Sequence, residues 1–173
     1  MKNIKLVRLI ISSFVFVLSL IIFIMAFLPA MKISVGNATL SNPNLPTLAF
    51  DTNHNFTANQ NGSRIVPSML FFVAIAIFIA AIYECICYTL DYFGLSIIGF
   101  RINKNESKTA VISTIVVFAA LGIMFAVFSF MIPNMVGMNS YYTVAGSAIV
   151  SGIMYILLVI SYSIGQATFI LKK

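Results

Sequence analysis

Few groups in this chain could do chemistry. Its 173 residues carry one histidine, His54, and four carboxylates, Asp51, Glu84, Asp91 and Glu106. A zinc site draws on three or four Cys, His or carboxylate ligands, and acid–base catalysis needs a titrating group with a positioned partner. Neither set assembles here. His54 and Asp51 lie before the apolar run that begins at Pro67, whereas Glu84, Asp91, Glu106 and both cysteines, Cys85 and Cys87, lie at its far end or beyond. Two residues apart on a helix, Cys85 and Cys87 face about 200° from one another, and they read as small packed residues. No glycine-rich phosphate loop and no Ser-His-Asp or Cys-His set appears. The expectation is a protein that is not an enzyme, with no catalytic residue, metal or cofactor.

Glu84 is the exception that calls for a reading. It is the one acidic residue placed within an apolar span, and ionisable groups in a membrane interior are costly enough to be candidate functional sites. Counted from Pro67, it lies about 26 Å along a helix, near the inner boundary and close to the level of Arg8 and Lys108. An interfacial ion pair of Glu84 with Arg8 is expected; a proton or cation site is the alternative. A second constellation is uncharged. Wound as a helix, Ser147, Ser151, Tyr155, Tyr162 and Gln166, with Ser140 and Gly165, share one side, while Ile149, Ile153, Ile156, Ile160, Ile164 and Leu171 share the other. This reads as a bundle-facing polar stripe that hydrogen-bonds between helices; the alternative is the lining of a small permeation path.

The elements that must position these groups follow from hydropathy. From Thr109 to Leu171 the chain runs 63 residues with no Asp, Glu, Lys, Arg or His. One bilayer crossing takes about 20 apolar residues, so this stretch crosses, turns near Pro133-Asn134 and Gly137, and crosses back. Two further runs give four spans, at about 8–31, 67–90, 109–133 and 141–170. An outer loop at 32–66, an inner loop at 91–108 and an outer turn at 134–140 join them. The first span is longer than the ~7–15 residues of a signal-peptide core and reads as an uncleaved anchor. The composition agrees: 61% hydrophobic and 8% charged, against roughly 25% charged in soluble domains. The net charge of +6 sits at span ends rather than on a basic face, so nucleic acid is not expected as a partner.

Lys and Arg sort by side. Lys2, Lys5, Arg8, Arg101, Lys104, Lys108, Lys172 and Lys173 fall on one face, Lys32 and Arg64 on the other. Both termini are therefore expected in the cytoplasm. The loop at 32–66 carries three sequons, at Asn37, Asn55 and Asn61, which its Asn/Ser/Thr richness produces by chance. It has no cysteine, and β-compatible runs appear at Lys32–Val35, Thr47–Phe50 and Arg64–Val66. The inner segment Asp91–Phe100 is too short to span; Tyr92, Phe93 and Phe100 would anchor it at the interface while Arg101 and Lys104 meet anionic headgroups.

Association in lipid rests on small residues and polar contacts rather than hydrophobic drive. Each span offers such a face: Lys5, Arg8, Ser12, Ser19 and Ala26; Ala76, Ala80, Ala81, Glu84, Cys87, Tyr88 and Asp91; Ala119, Gly122, Ala126 and Ser129; and the polar stripe above. The expected fold is an all-α membrane protein, a four-helix transmembrane bundle with a small β-containing extracellular cap between helices 1 and 2. The layout resembles that of claudin-type tetraspan proteins. Their Trp/Gly/Leu/Trp and paired-Cys loop signature is absent, since the chain has no Trp and the loop no Cys, so no family residue carries over. The expected role is non-enzymatic: a structural, assembly or accessory subunit acting through helix and outer-loop contacts, with the bilayer and a membrane-protein partner or a homo-oligomer around it. The alternative is a small oligomeric transporter or channel for an uncharged or weakly polar solute. The Ile/Asn/Phe/Lys-heavy composition suggests a bacterial plasma membrane.

Overall fold

The computed structural model describes residues 2–35, 38–50, 65–95, 108–136 and 142–170. In chain order they form α1 (Lys2–Ala26), β1 (Met31–Val35), β2 (Ala38–Ser41), α2 (Leu45–Phe50), α3 (Ile65–Phe93), α4 (Lys108–Val136), β3 (Tyr142–Val144) and α5 (Gly146–Ile170). The four long helices α1, α3, α4 and α5 are each long and apolar enough to cross a membrane. The first begins earlier than the apolar run suggests, at Lys2, and ends at Ala26 rather than residue 31. Two tightened turns, Phe27 N to Ile24 O and Leu28 N to Met25 O, both 3.1 Å, precede Pro29, which cannot continue a helix. The helix α3 stops at Gly94, where φ is +76°. There Gly94 N bonds Asp91 O and Leu95 N bonds Leu90 O, the paired bonds of a Schellman motif.

The long helices share one packing period. Buried or half-buried residues recur at alternating steps of three and four: Lys5, Arg8, Ser12, Val15, Ser19, Ile22 and Ala26 on α1, and Pro67, Leu70, Ala74, Ile77, Ala81, Glu84, Tyr88 and Asp91 on α3. On α4 the series is Val111 and Ile115, then, past the exposed Phe118, Gly122, Phe125, Ser129 and Ile132, and on α5 it is Ala148, Ser151, Tyr155, Leu158, Tyr162 and Gly165. A 3.5-residue period keeps a seam facing its neighbour along a left-handed bundle. The aliphatic side of α5 (Ile149, Ile153, Ile156, Ile160 and Ile164) faces outward as expected. So do the small or polar faces of α1 and α4 turn inward: Ser12, Ser19, Ala26, Gly122, Ala126 and Ser129 are buried.

The face expected on α3 is partly corrected. Ala81 and Cys87 are buried, but Ala76 and Ala80 are exposed. What α3 presents to α1 is aromatic instead: Phe78 stacks on Phe16 and Phe23, with centroids 5.9 and 4.8 Å apart, and Phe71 meets Phe27 edge-on at 5.7 Å. The α4–α5 pair uses the opposite means. Gly122 and Gly152 let Val159 and the Phe130 ring approach the facing backbone so closely that a Cβ at either glycine would overlap them. Around the bundle, α1 packs against α3 and α5, and α5 against α4, while α3 and α4 meet only lightly.

A cap covers one end. Its three-stranded sheet has the order β2-β1-β3, antiparallel throughout, with Ile33 opposite both Ser41 and Tyr142. Of the expected strands, Lys32–Val35 is present within β1. Thr47–Phe50 is instead the end of helix α2, and Ile65–Val66 the start of α3. The helix start at Leu45 follows a standard signal: Asn44 Oδ1 accepts from Thr47 N at 2.9 Å and from the Thr47 hydroxyl at 2.7 Å, an N-cap, and Pro46 fits the first turn. The third strand, β3, comes from the residues expected to begin span four, so α5 starts at Gly146 rather than residue 141. The cap thus joins the connection after α1 to the one before α5, rather than resting on the first alone. The sequons at Asn37, Asn55 and Asn61, the residues from Ser96 to Phe100 and the basic residues Arg101 and Lys104 lie outside the described residues.

Candidate functional site

Pro29 to Met31 knits the capped end together. Ala30 N donates to Pro43 O at 2.8 Å, Ala30 O accepts from Ala145 N at 3.1 Å, Asn44 Nδ2 donates to Phe27 O at 3.2 Å, and the Ser147 hydroxyl donates to Pro29 O. Backbone groups from three segments are satisfied by one another, as burial requires, and Met31 is 0% exposed. Beneath lies an apolar core drawn from all four long helices and α2. It includes Ile22, Leu70 and Ile132 at 1% exposure, with Leu48, Phe125 and Leu158. Ser147, read as part of a stripe within the bundle, thus serves the junction of α5 with the cap.

Toward the far end the seam becomes polar. Arg8 is 5% exposed, Ser12 and Ser19 are buried on α1, Ser161 is buried on α5, and Glu84 and Gln166 are half-buried. The ion pair between α1 and α3 among the described residues is not Arg8 with Glu84 but Lys5 with Asp91, Nζ to Oδ1 at 2.9 Å. Lys5 Nζ also donates to the Asp91 main-chain oxygen at 2.8 Å. That carbonyl, which also accepts from Gly94 N, belongs to the last turn of α3, where the negative end of the helix dipole attracts a cation. A lysine near the start of one apolar helix and an aspartate near the end of the next carried this signal in the sequence.

Helix geometry accounts for the difference. With α1 and α3 antiparallel and Lys5 opposite Asp91, Arg8 is level with Tyr88 and Ser12 with Glu84. Arg8 therefore starts one turn, about 6 Å, nearer the far end than Glu84. Side chains lean toward their own helix N-terminus, which carries Arg8 toward the far end and Glu84 toward the cap, away from one another.

Along the α5 stripe, Ser151 and Tyr155 are buried, and Tyr162 and Gln166 half-buried. Tyr162 stacks on Phe118 with centroids 4.3 Å apart, and Tyr155 packs against Phe125 at 5.9 Å. The serine hydroxyls mostly bond within their own helices rather than across the bundle: Ser12 to Leu9 O, Ser19 to Phe16 O, Ser129 to Phe125 O and Ser161 to Leu157 O, at 2.8–3.0 Å. Such back-bonding satisfies these four hydroxyls within their own helices. Every buried side-chain polar atom among the described residues has a hydrogen-bond partner. No group of three or more metal-ligating side chains is present among them either.

Fold and site together define the class: a multi-pass, four-helix membrane protein with a capped end, a close-packed apolar half and a polar half in which Lys5 pairs with Asp91. No family model, no curated protein and no solved structure matches the chain.

Proposed function

We propose that the protein acts through contacts, as a non-enzymatic structural, assembly or accessory subunit of a membrane complex. The observation that supports this reading is the seal at the capped half. Ile22, Leu70, Ile132 and Met31, each at 0–1% exposure, fill the space where a single-chain pathway would have to pass. Close-packed interiors hold few voids as large as a water molecule. Above the seal stands a cap whose main-chain hydrogen bonds tie Ala30 to both Pro43 and Ala145, a surface suited to meeting another protein. In this reading the basic ends of the spans hold both termini in the cytoplasm, and the cap faces outward from a bacterial plasma membrane. Partners are the bilayer and either a second membrane protein or further copies of the chain.

The test is a photo-crosslinking residue at Lys32 or Asn42, both exposed on the cap, activated in the native membrane. A discrete adduct with one membrane or envelope protein is the expected product. A chain that forms no adduct from the cap, yet passes uncharged solute when reconstituted alone, would support the oligomeric channel instead.

A further inference from the structure

We infer that Glu84 is a proton-exchanging carboxyl inside the membrane-spanning bundle. The inference stands on placement and holds whether or not the contact role above is correct. Glu84 lies on the same seam of α3 as Asp91, two turns and about 10 Å closer to the cap. The ion pair marks the polar boundary; Glu84 is on the apolar side of it, half-buried. An ionised carboxylate at that depth needs a counter-charge, and among the described residues the available cations are few. Lys5 is committed to Asp91 through both its carboxylate and its main-chain oxygen. Arg8 lies one turn nearer the far end and forms no ion pair with Glu84 among the described residues. Other titratable groups of this half among the described residues are Tyr83, Cys85, Cys87, Tyr88 and Tyr92 on α3 and Tyr162 on α5, and none of them supplies a positive charge. Along α4 the one basic residue is Lys108, at its first position. A proton is the counter-ion that can reach Glu84 without moving a helix, and the polar seam of Arg8, Ser12 and Tyr88 gives it a route from the far end.

The chemistry can be read with N,N′-dicyclohexylcarbodiimide, an apolar reagent that partitions into bilayers. The protonated carboxyl adds across one N=C bond: its proton goes to nitrogen, its oxygen to the central carbon, and the O-acylisourea rearranges to a stable N-acylurea with nothing lost. The full chain, reconstituted in phosphatidylcholine vesicles, is treated across a range of pH and mapped by peptide mass. The expected result is one adduct on Glu84, falling as pH rises, lost in Glu84→Gln, kept in Glu84→Asp and undiminished in Asp91→Asn. Absence of the Glu84 adduct at every pH, or equal labelling of Asp91, would overturn the inference. So would a Glu84 that is unlabelled in the native chain but labelled in Arg8→Gln, since that result makes Arg8 its counter-ion.

Discussion

Gly122→Ala tests the α4–α5 interface most sharply. A Cβ at Gly122 would stand 2.0 Å from Val159 Cγ2, 3.5 Å from Val159 Cβ and 3.7 Å from Tyr155 O. Carbon atoms settle at about 3.5–4.0 Å, so the near methyl must retreat by roughly 1.5 Å or the helices must part. Valine in a helix holds one χ1 rotamer about 90% of the time, which makes rotation costly. Parting the helices strips contact from Phe125–Tyr155 and Phe118–Tyr162 along the same seam. Overpacking of this kind costs about 1–3 kcal/mol, and the rigid partner puts this site toward the upper end. For a chain of this size each kcal/mol lowers Tm by about 2–4 °C. The assay is thermal or SDS-driven unfolding in mild detergent, run as a double-mutant cycle with Val159→Ala, which removes the obstructing methyl. The pair should recover most of the loss, with a coupling energy above about 1 kcal/mol. A neutral Gly122→Ala, or a loss that Val159→Ala does not relieve, would refute the packing described.

Gly152→Ala should cost less than Gly122→Ala in the same assay, because the obstructing atoms are the far edge of the Phe130 ring, which can swing toward lipid. Asn44→Ala should lower stability by about 1 kcal/mol through loss of an N-cap, and hydrogen exchange should quicken in α2 and β1 while the centres of the long helices stay protected. Asp91→Asn should cost only ~0.2–1 kcal/mol, since the ion pair is about one-third exposed and such pairs are weakly stabilising. Lys5→Ala should cost somewhat more, because it also removes the bond to the Asp91 carbonyl; equal effects in the two variants would count against that second bond.

Much of this architecture was legible because lipid imposes a simple pattern. Uncharged runs marked the four spans, and the alternation of Ser and Tyr with Ile on α5 marked its two faces. The bundle face of α3 was harder, since Ala76 and Ala80 looked like packing residues. The α1–α3 contact is made by stacked phenylalanines instead, and aromatic residues carry no sign in the sequence that distinguishes a lipid face from a ring stack. The strand β3 was hidden because Tyr142-Thr143-Val144 extends an apolar run; its pairing with Met31–Ile33 is a tertiary choice that local pattern does not encode. The cap helix α2 was readable in hindsight from Asn44 and Pro46, but the β-compatible Thr47–Phe50 masked it. Depth along the helix suggested Arg8 for Glu84; the lean of antiparallel side chains and the negative dipole end of α3 decided for Lys5 and Asp91.

The contact role is tested most directly by native mass spectrometry of the protein released in mild detergent from the membrane that makes it. The account predicts a discrete complex in which this chain is joined to a second membrane or envelope protein, and its loss when the cap is loosened by Asn44→Ala with Ser147→Ala. A lone homo-oligomer that carries uncharged solute across vesicles, indifferent to those cap substitutions, would contradict it.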